Sequence, residues 1–425
     1  MQIIKHPKKN EWSRLLKRPA LDSSSLEASV TNILHQVKAS GDEALKRFST
    51  IFDKVSVEEL LVSKEEIDAV VATISTELKD AIAIAKKNIE TFHQQQVSTV
   101  EKIETMPGVV CWRKTVAIEK VGLYIPGGTA PLFSTILMLS IPAKIAGCKE
   151  VILCTPPGKD GKINAAILYA AKLVGITNIY KTGGAQAIAA MAYGTETIPQ
   201  VYKIFGPGNQ YVTCAKQLVQ KDGVAIDMPA GPSEVCVMAD DTANPVFIAA
   251  DLLSQAEHGT DSQVLLVSTS EVMINAVLVE TDKQLEELPR KELASKALEN
   301  SKAILLKDVN EMIELVNQYA AEHLIISCRD EDVIAEKIIN AGSVFLGNYS
   351  PESVGDYASG TNHTLPTNGY AKAYSGVSVD SFVKKITYQK LTQEGLKNIG
   401  KAVEVMAEAE GLQAHAEAVR KRRPL

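Results

Sequence analysis

NIYKTGGAQAIAAMAYG (178–194), followed by VYKIFGPGNQYVTCAKQLVQ (201–220), twice sets a short apolar run against a glycine turn and a helical pattern. An apolar run too short for a helix, closed by glycine and followed by helical spacing, is how a buried parallel strand and its crossover helix read. Upstream, VGLYI (121–125) passes through Gly127–Gly128 into a helical 131–147, and EVILCT (150–155) precedes a helical 163–174. Downstream, GVAIDM (223–228) runs through PAGPSE to VCVMA (235–239). A helical 243–257, QVLLVS (263–268), helices to 300, AILLK (303–307), helical 309–323 and 331–341, and SVFLG (343–347) continue the alternation. The expected fold is α/β, with two doubly wound, incomplete Rossmann-like parallel-sheet domains.

Residues 23–105 read as mainly helical, and about 380–420 as a helical arm with no sheet partner. The expected organisation is an N-terminal segment (1–22), a discontinuous α/β domain (23–122 and 235–376), a second α/β domain (123–234) and a C-terminal helical arm (377–425). From Asn348 to Val379 the chain is rich in Gly, Ser, Pro and Thr, and so long a loop in a compact protein is usually functional.

Of 425 residues, 45% are hydrophobic and 23% charged, enough apolar surface for sizeable cores. The net charge of -6 argues against nucleic-acid or anionic-membrane partners, which need a cationic footprint. The terminal basic run Arg420–Arg423 reads as a solvated tail. Val121–Ala143 is uncharged and long enough to span a bilayer, but Pro126, Gly127, Gly128, Pro131 and Pro142 interrupt it. Six scattered cysteines without a CxxC pair read as reduced core residues. With the charged opening MQIIKHPKKNEW, these features lead us to expect a soluble cytoplasmic protein.

Seven histidines are few for this length, and four have informative neighbours. In DLLSQAEHG, Gln255 and His258 are three apart at a helix end and share a face. Both could reach one ion, although helix capping accounts for the pair as well and Gln is an uncommon zinc ligand. In QYAAEHLIIS, Glu322 and His323 stand where a helix gives way to an apolar run. An imidazole of pKa ~6.5 beside a carboxylate suits a base and a water activator, with capping again the alternative. The long loop offers Asp356 and His363, and the terminal arm carries Glu410 and His415, for which a solvated face is the alternative. Asp, two His and Gln would suit Zn²⁺ or Mn²⁺. The turn FGPGN (205–209) opens a helix as a phosphate-cradling turn would, but Tyr211 stands where GxGxxG needs its third glycine.

Together, VGLYIPGGTAPLFST, GGAQAIAA, KIFGPGN, IDMPAGPSEV, DLLSQAEHG, AEHL, GDYASGTNHTLPT and EGLQAH resemble the histidinol dehydrogenase family, in the family's order over roughly 120 to 415. The resemblance implies zinc ligands Gln255, His258, Asp356 and His415, and an acid–base pair of Glu322 and His323. It implies substrate contacts at Ser233, His363 and Glu410 in addition to the zinc ligands and His323, and NAD contacts at Tyr124, Gln186 and Asn209. It also implies a homodimer whose arm crosses to the neighbour, with His415 completing the partner's metal site. The implied reaction is oxidation of L-histidinol to L-histidine in two hydride transfers to NAD, with one Zn²⁺ per subunit orienting the substrate. Two competing readings fit parts of the pattern: a zinc-dependent hydrolase with Glu322 as general base, and a nucleotide-sensing or structural dimer with a closed zinc site.

Overall fold

In the computed structural model, residues 1–19, 23–127, 131–229 and 231–423 are described. Gly128 of the first glycine turn, Ala230 of PAGPSE, residues 20–22 of the N-terminal segment and the last two residues of the arm lie outside them.

Two parallel sheets dominate. One contains β4 (Lys120–Tyr124), β5 (Glu150–Thr155), β6 (Ile179–Lys181), β7 (Lys203–Phe205) and β8 (Ala225–Ile226), in the order β6-β5-β4-β7-β8. The other contains β1 (Gln2–Lys5), β9 (Glu234–Ala239), β10 (Gln263–Ser268), β11 (Lys302–Leu305), β12 (His323–Ser327) and β13 (Ser343–Leu346), in the order β1-β11-β10-β9-β12-β13. In the first, the chain starts at the central β4, winds to one edge, then returns and winds to the other. In the second, β9 to β13 do the same around β9, and the N-terminal β1 adds an edge strand beside β11. This is the doubly wound topology expected.

Alternate residues explain why both faces are buried. Along β9, Val235 and Val237 join a core with the helix Pro245–Ala256, while Cys236 and Met238 face Trp12, Met312 and Val316 on the other side. In the five-stranded sheet, Tyr124, Ile152 and Ile204 face one core, and Leu123, Leu153 and Phe205 the other.

Four expectations need correction. Residues 23–122, expected with 235–376, pack mainly on the five-stranded sheet and also touch the 358–362 segment, where Asn88 donates to the Ala358 carbonyl at 2.8 Å. The helix Ser23–Phe48 buries Val30, Leu34 and Leu45 against the five-stranded sheet, Thr76–Gln94 covers its opposite face, and the expected boundary at 122 falls inside β4. The terminal arm does have a sheet partner: β14 (Val383–Leu391) pairs antiparallel with β3 (Val109–Ala117), which also pairs with β2 (Lys102–Met106). The helix expected to reach 323 ends at Tyr319, because Ala320 turns left-handed (φ 56°) and His323 begins β12. The basic end is tied down, with Arg423 bonded to the buried Glu404 at 2.8 Å and Arg420 paired with Glu408 and Glu417.

All six cysteines are free thiols. Among the described residues no helix is long and apolar enough to cross a membrane.

Candidate active site

A cavity of about 600 Å³ opens between the carboxyl end of the five-stranded sheet and the amino end of the six-stranded one. The first sheet follows the usual rule, since its FGPGN turn leaves β7 beside β4, where the strand order reverses. Gly206 (φ 128°) is required there, because a Cβ would overlap the Tyr124 carbonyl oxygen. The turn is held from beneath: the buried Lys216 donates to the Gly206 carbonyl at 2.9 Å and pairs with Asp227, which accepts from the Gly206 N–H at 2.8 Å. Asn209 caps the following helix by accepting from the N–H groups of Tyr211 and Val212.

The six-stranded sheet contributes its other end. Glu234 starts β9 and His323 starts β12, neighbouring strands in which Val235 stands opposite His323. His323 shares a sheet face with Ile325, directing it to the side covered by the helix Pro245–Ala256. That helix brings Gln255 to the site on its last turn, and His258 follows in the turn beyond it. The long loop is not structureless: the helix Glu352–Tyr357 carries Glu352 and Asp356 into the same space.

His323 is 3% exposed and sits among carboxylates. Its Nε2 lies 3.2 Å from Asp356 Oδ1, and its Nδ1 lies 3.4 Å from the Glu234 carbonyl, 3.7 Å from Glu322 Oε2 and 3.9 Å from Glu352 Oε2. Glu322, 7% exposed, accepts from the Glu234 N–H at 3.0 Å. With its amide nitrogen turned to Glu352, Gln255 donates to both carboxylate oxygens (2.8 and 3.3 Å) and accepts from the same Glu234 N–H at 3.2 Å. His363 is engaged at both nitrogens, Nδ1 with the Asp356 carbonyl at 2.7 Å and Nε2 with the Thr135 hydroxyl at 3.0 Å.

Burial disfavours the charged form of every group here, and the pairings decide which groups keep a charge. Burial pushes Glu322 up to about 8 against the pull of His323, and Glu352 up to about 7. Burial alone would lower His323, but Glu322, Asp356 and Glu352 outweigh it and raise the imidazole to about 10. Burial would raise Asp356, but its hydrogen bond and attraction to His323 hold it below the ordinary carboxylate range. His258 and His363 are both lowered, chiefly by the protein packed around them, and so favour the neutral imidazole that a metal or substrate proton needs.

Ser233, Gln255, His258, Glu322, His323, Asp356 and His363 all line the one cavity, and Asn209 lies on its other wall. Glu410 and His415 do not line it. Both are exposed on the terminal arm, after the helix Gln393–Ala409 and within the helix Gln413–Arg420. Tyr124 and Gln186 are buried behind the turns and stay out of the lining, and the Tyr124 hydroxyl accepts from the Gly184 N–H at 3.0 Å. Sequence reasoning missed Glu352, 1% exposed beside His323 and bonded by Ser254 at 2.8 Å. The PES triplet that opens its helix carries no sign of the tertiary partners that make a buried carboxylate tolerable.

The sequence model of histidinol dehydrogenase matches residues 16–423. A histidinol dehydrogenase of Bacteroides thetaiotaomicron is 62% identical over 419 residues, covering 99% of this chain and 98% of that one. The chain belongs to the histidinol dehydrogenase family. A chloroplastic histidinol dehydrogenase of Arabidopsis thaliana is 55% identical over 408 residues, covering 95% of this chain and 87% of the relative. The crystal structure of histidinol dehydrogenase from Elizabethkingia anophelis matches with a TM-score of 0.97 at 56% identity, covering 99% of this chain and 98% of that one. This histidinol dehydrogenase family member is thus an oxidoreductase of histidine biosynthesis, with a mixed α/β fold shared along nearly its whole length.

Proposed function

We propose that the protein oxidises L-histidinol to L-histidine with NAD as acceptor, in two successive steps at the cavity between the sheets. The observation that carries this reading is the convergence of Glu322, His323, Gln255, His258 and Asp356 on one cavity that also meets the FGPGN turn. The balanced reaction takes one alcohol, one water and two NAD to a carboxylate, two NADH and three protons. NAD supplies the hydride acceptor in each step.

The donors suit a metal. The His258 ring has no hydrogen-bond partner among the described residues and opens to the cavity, and Asp356 Oδ2 is likewise unengaged. No three His, Cys, Asp or Glu side chains are gathered as a ready-made metal group among the described residues. In the proposed set one chain provides His258, Asp356 and the amide of Gln255, and His415 comes from a second subunit. A divalent zinc ion held by these residues would supply a Lewis-acid centre that orients the substrate's nitrogens and hydroxyl.

The chain's own residues then divide the work. His323 accepts the hydroxyl proton as the alcohol becomes an aldehyde. Glu322 takes a proton from water as the aldehyde is hydrated, and His323 accepts the hydrate's hydroxyl proton in the second oxidation. Ser233 and His363 would hold the substrate from the cavity wall, Glu410 would reach it from the partner's arm, and Tyr124, Gln186 and Asn209 would support NAD around the strand-end turns.

Shared sites make a specific prediction. Variants His323→Asn and His415→Asn, each inactive alone, should recover about a quarter of wild-type activity when mixed and re-associated, because half the dimers then carry one intact site. Chelation should abolish NADH formation in the wild type, and zinc should restore it. No recovery on mixing, despite heterodimers seen by mass spectrometry, would remove His415 from the partner's site.

A further inference from the structure

We propose that Arg18 is a positioning residue for the oxidation, a clip that holds together the two strand starts from which Glu322 and His323 work. The proposal rests on the function proposed above, since it assigns those two residues their roles.

Arg18 lies in the N-terminal segment, on the sheet face opposite His323. Its guanidinium forms a fork to Glu234, with Nε 2.5 Å from Oε2 and Nη2 3.0 Å from Oε1. Nη2 also donates to the Tyr319 carbonyl at 2.8 Å, and the guanidinium stacks 4.0 Å from the centre of the Tyr319 ring. The Tyr319 hydroxyl in turn donates to Gln263 on β10 at 3.0 Å. One planar cation therefore grips the first residue of β9 and the last turn before β12.

The other side of those segments is the active site. The Glu234 side chain goes to Arg18, but its backbone turns to the acid–base pair, with the N–H bonded to Glu322 Oε2 at 3.0 Å and the carbonyl 3.4 Å from His323 Nδ1. Ser233, the preceding residue, lines the cavity. Tyr319 leads through the left-handed Ala320, a conformation that strains a residue with a Cβ, directly to Ala321, Glu322 and His323. Such strain persists only where the surroundings impose it, and Arg18 binds the carbonyl just ahead of it.

Glu234 is 2% exposed, and a buried ion pair is poor evidence of stability, since apolar residues of the same volume often serve as well. What the fork gives that they do not is a fixed register between two backbones. Lysine would keep the charge but, as a point donor, could not reach both carboxylate oxygens and the Tyr319 carbonyl in one plane.

The test compares wild type with Arg18→Lys and the milder Tyr319→Phe, all zinc-loaded. A displacement of about 1 Å at the acid–base pair can cost up to about 100-fold in rate. Arg18→Lys is expected to lower kcat at least about tenfold with KM for histidinol within about twofold and the thermal midpoint nearly unchanged. Because Glu322 serves only the hydration step, NADH formed per histidinol consumed should also fall below the wild-type value as aldehyde escapes. Tyr319→Phe should shift both quantities in the same direction by less. A loss of rate that merely tracks the unfolded fraction, with the wild-type NADH ratio kept, would overturn the positioning role, as would unchanged kinetics. If wild type itself forms no NADH, the functional reading fails, and crystal structures decide the clip alone. The contact between Glu322 and the Glu234 N–H should open in Arg18→Lys, and its persistence there contradicts the proposal.

Discussion

Replacing His323 by asparagine is expected to lower kcat by about 100- to 10,000-fold in both oxidation steps, the range that a lost general base costs. Asparagine is the informative choice because it keeps a polar group facing the Glu234 carbonyl and fills much of the ring's volume. Alanine would instead leave Glu322, Glu352 and Asp356 around a buried void with no cation among them, mixing a folding defect with a catalytic one. Each step must release a hydroxyl proton, and His323 is the imidazole lying within 4 Å of three carboxylates that can stabilise it once protonated. Glu322, Asp356 and Glu352 outweigh burial and raise the His323 imidazole, and the kcat loss should persist at saturating zinc. Steady-state rates with metal content measured on the same samples check this, and a kcat within tenfold of wild type would remove His323 from the chemistry.

The Glu322→Gln variant should divide the two halves of the reaction. Glutamine preserves shape and can still accept from the Glu234 N–H, so the floor of the site is retained. What it loses is the carboxylate that takes a proton from water. We expect the alcohol-oxidising step to stay within a few-fold of wild type and the aldehyde-oxidising step to slow by about 100-fold or more. Single-turnover traces should show one fast NADH per site followed by a slow second phase, and aldehyde supplied directly should enter only the slow phase. Equal slowing of both steps would make Glu322 a structural partner of His323. An unaffected second step would move water activation to another group.

Much of the fold was legible because parallel strands buried on both faces leave uninterrupted apolar runs between glycine turns, as in EVILCT and QVLLVS. β12 was hidden for a related reason. Its first residue is a histidine behind a glutamate, and a single left-handed alanine, rather than Gly or Pro, separates it from the preceding helix. β14 was hidden because VKKITYQKL is mostly exposed and interrupted by Lys384, Lys385 and Lys390, and its partner at 109–117 is distant in sequence. The packing of Ser23–Phe48 on the five-stranded sheet could not be read from an amphipathic pattern, which shows that a face is buried but not against what.

The site divides in the same way. Gln255 and His258 were legible as a spacing, and Glu322–His323 as a pair, but their meeting with Asp356 came only through the family resemblance. Glu352, Glu234 and Arg18 carry no local signal at all. Each is a charged residue whose burial makes sense only once its tertiary partner is known. Of the residues expected to contact NAD, Asn209 lines the cavity, and Tyr124 and Gln186 lie buried behind their turns.

The most direct test of the central claim is the stoichiometry of the purified, zinc-loaded protein acting on a limiting amount of L-histidinol, with the product identified. About two NADH per histidinol, with L-histidine as the product, are expected. One NADH with accumulating aldehyde, or no NADH from a zinc-loaded protein, would contradict that claim.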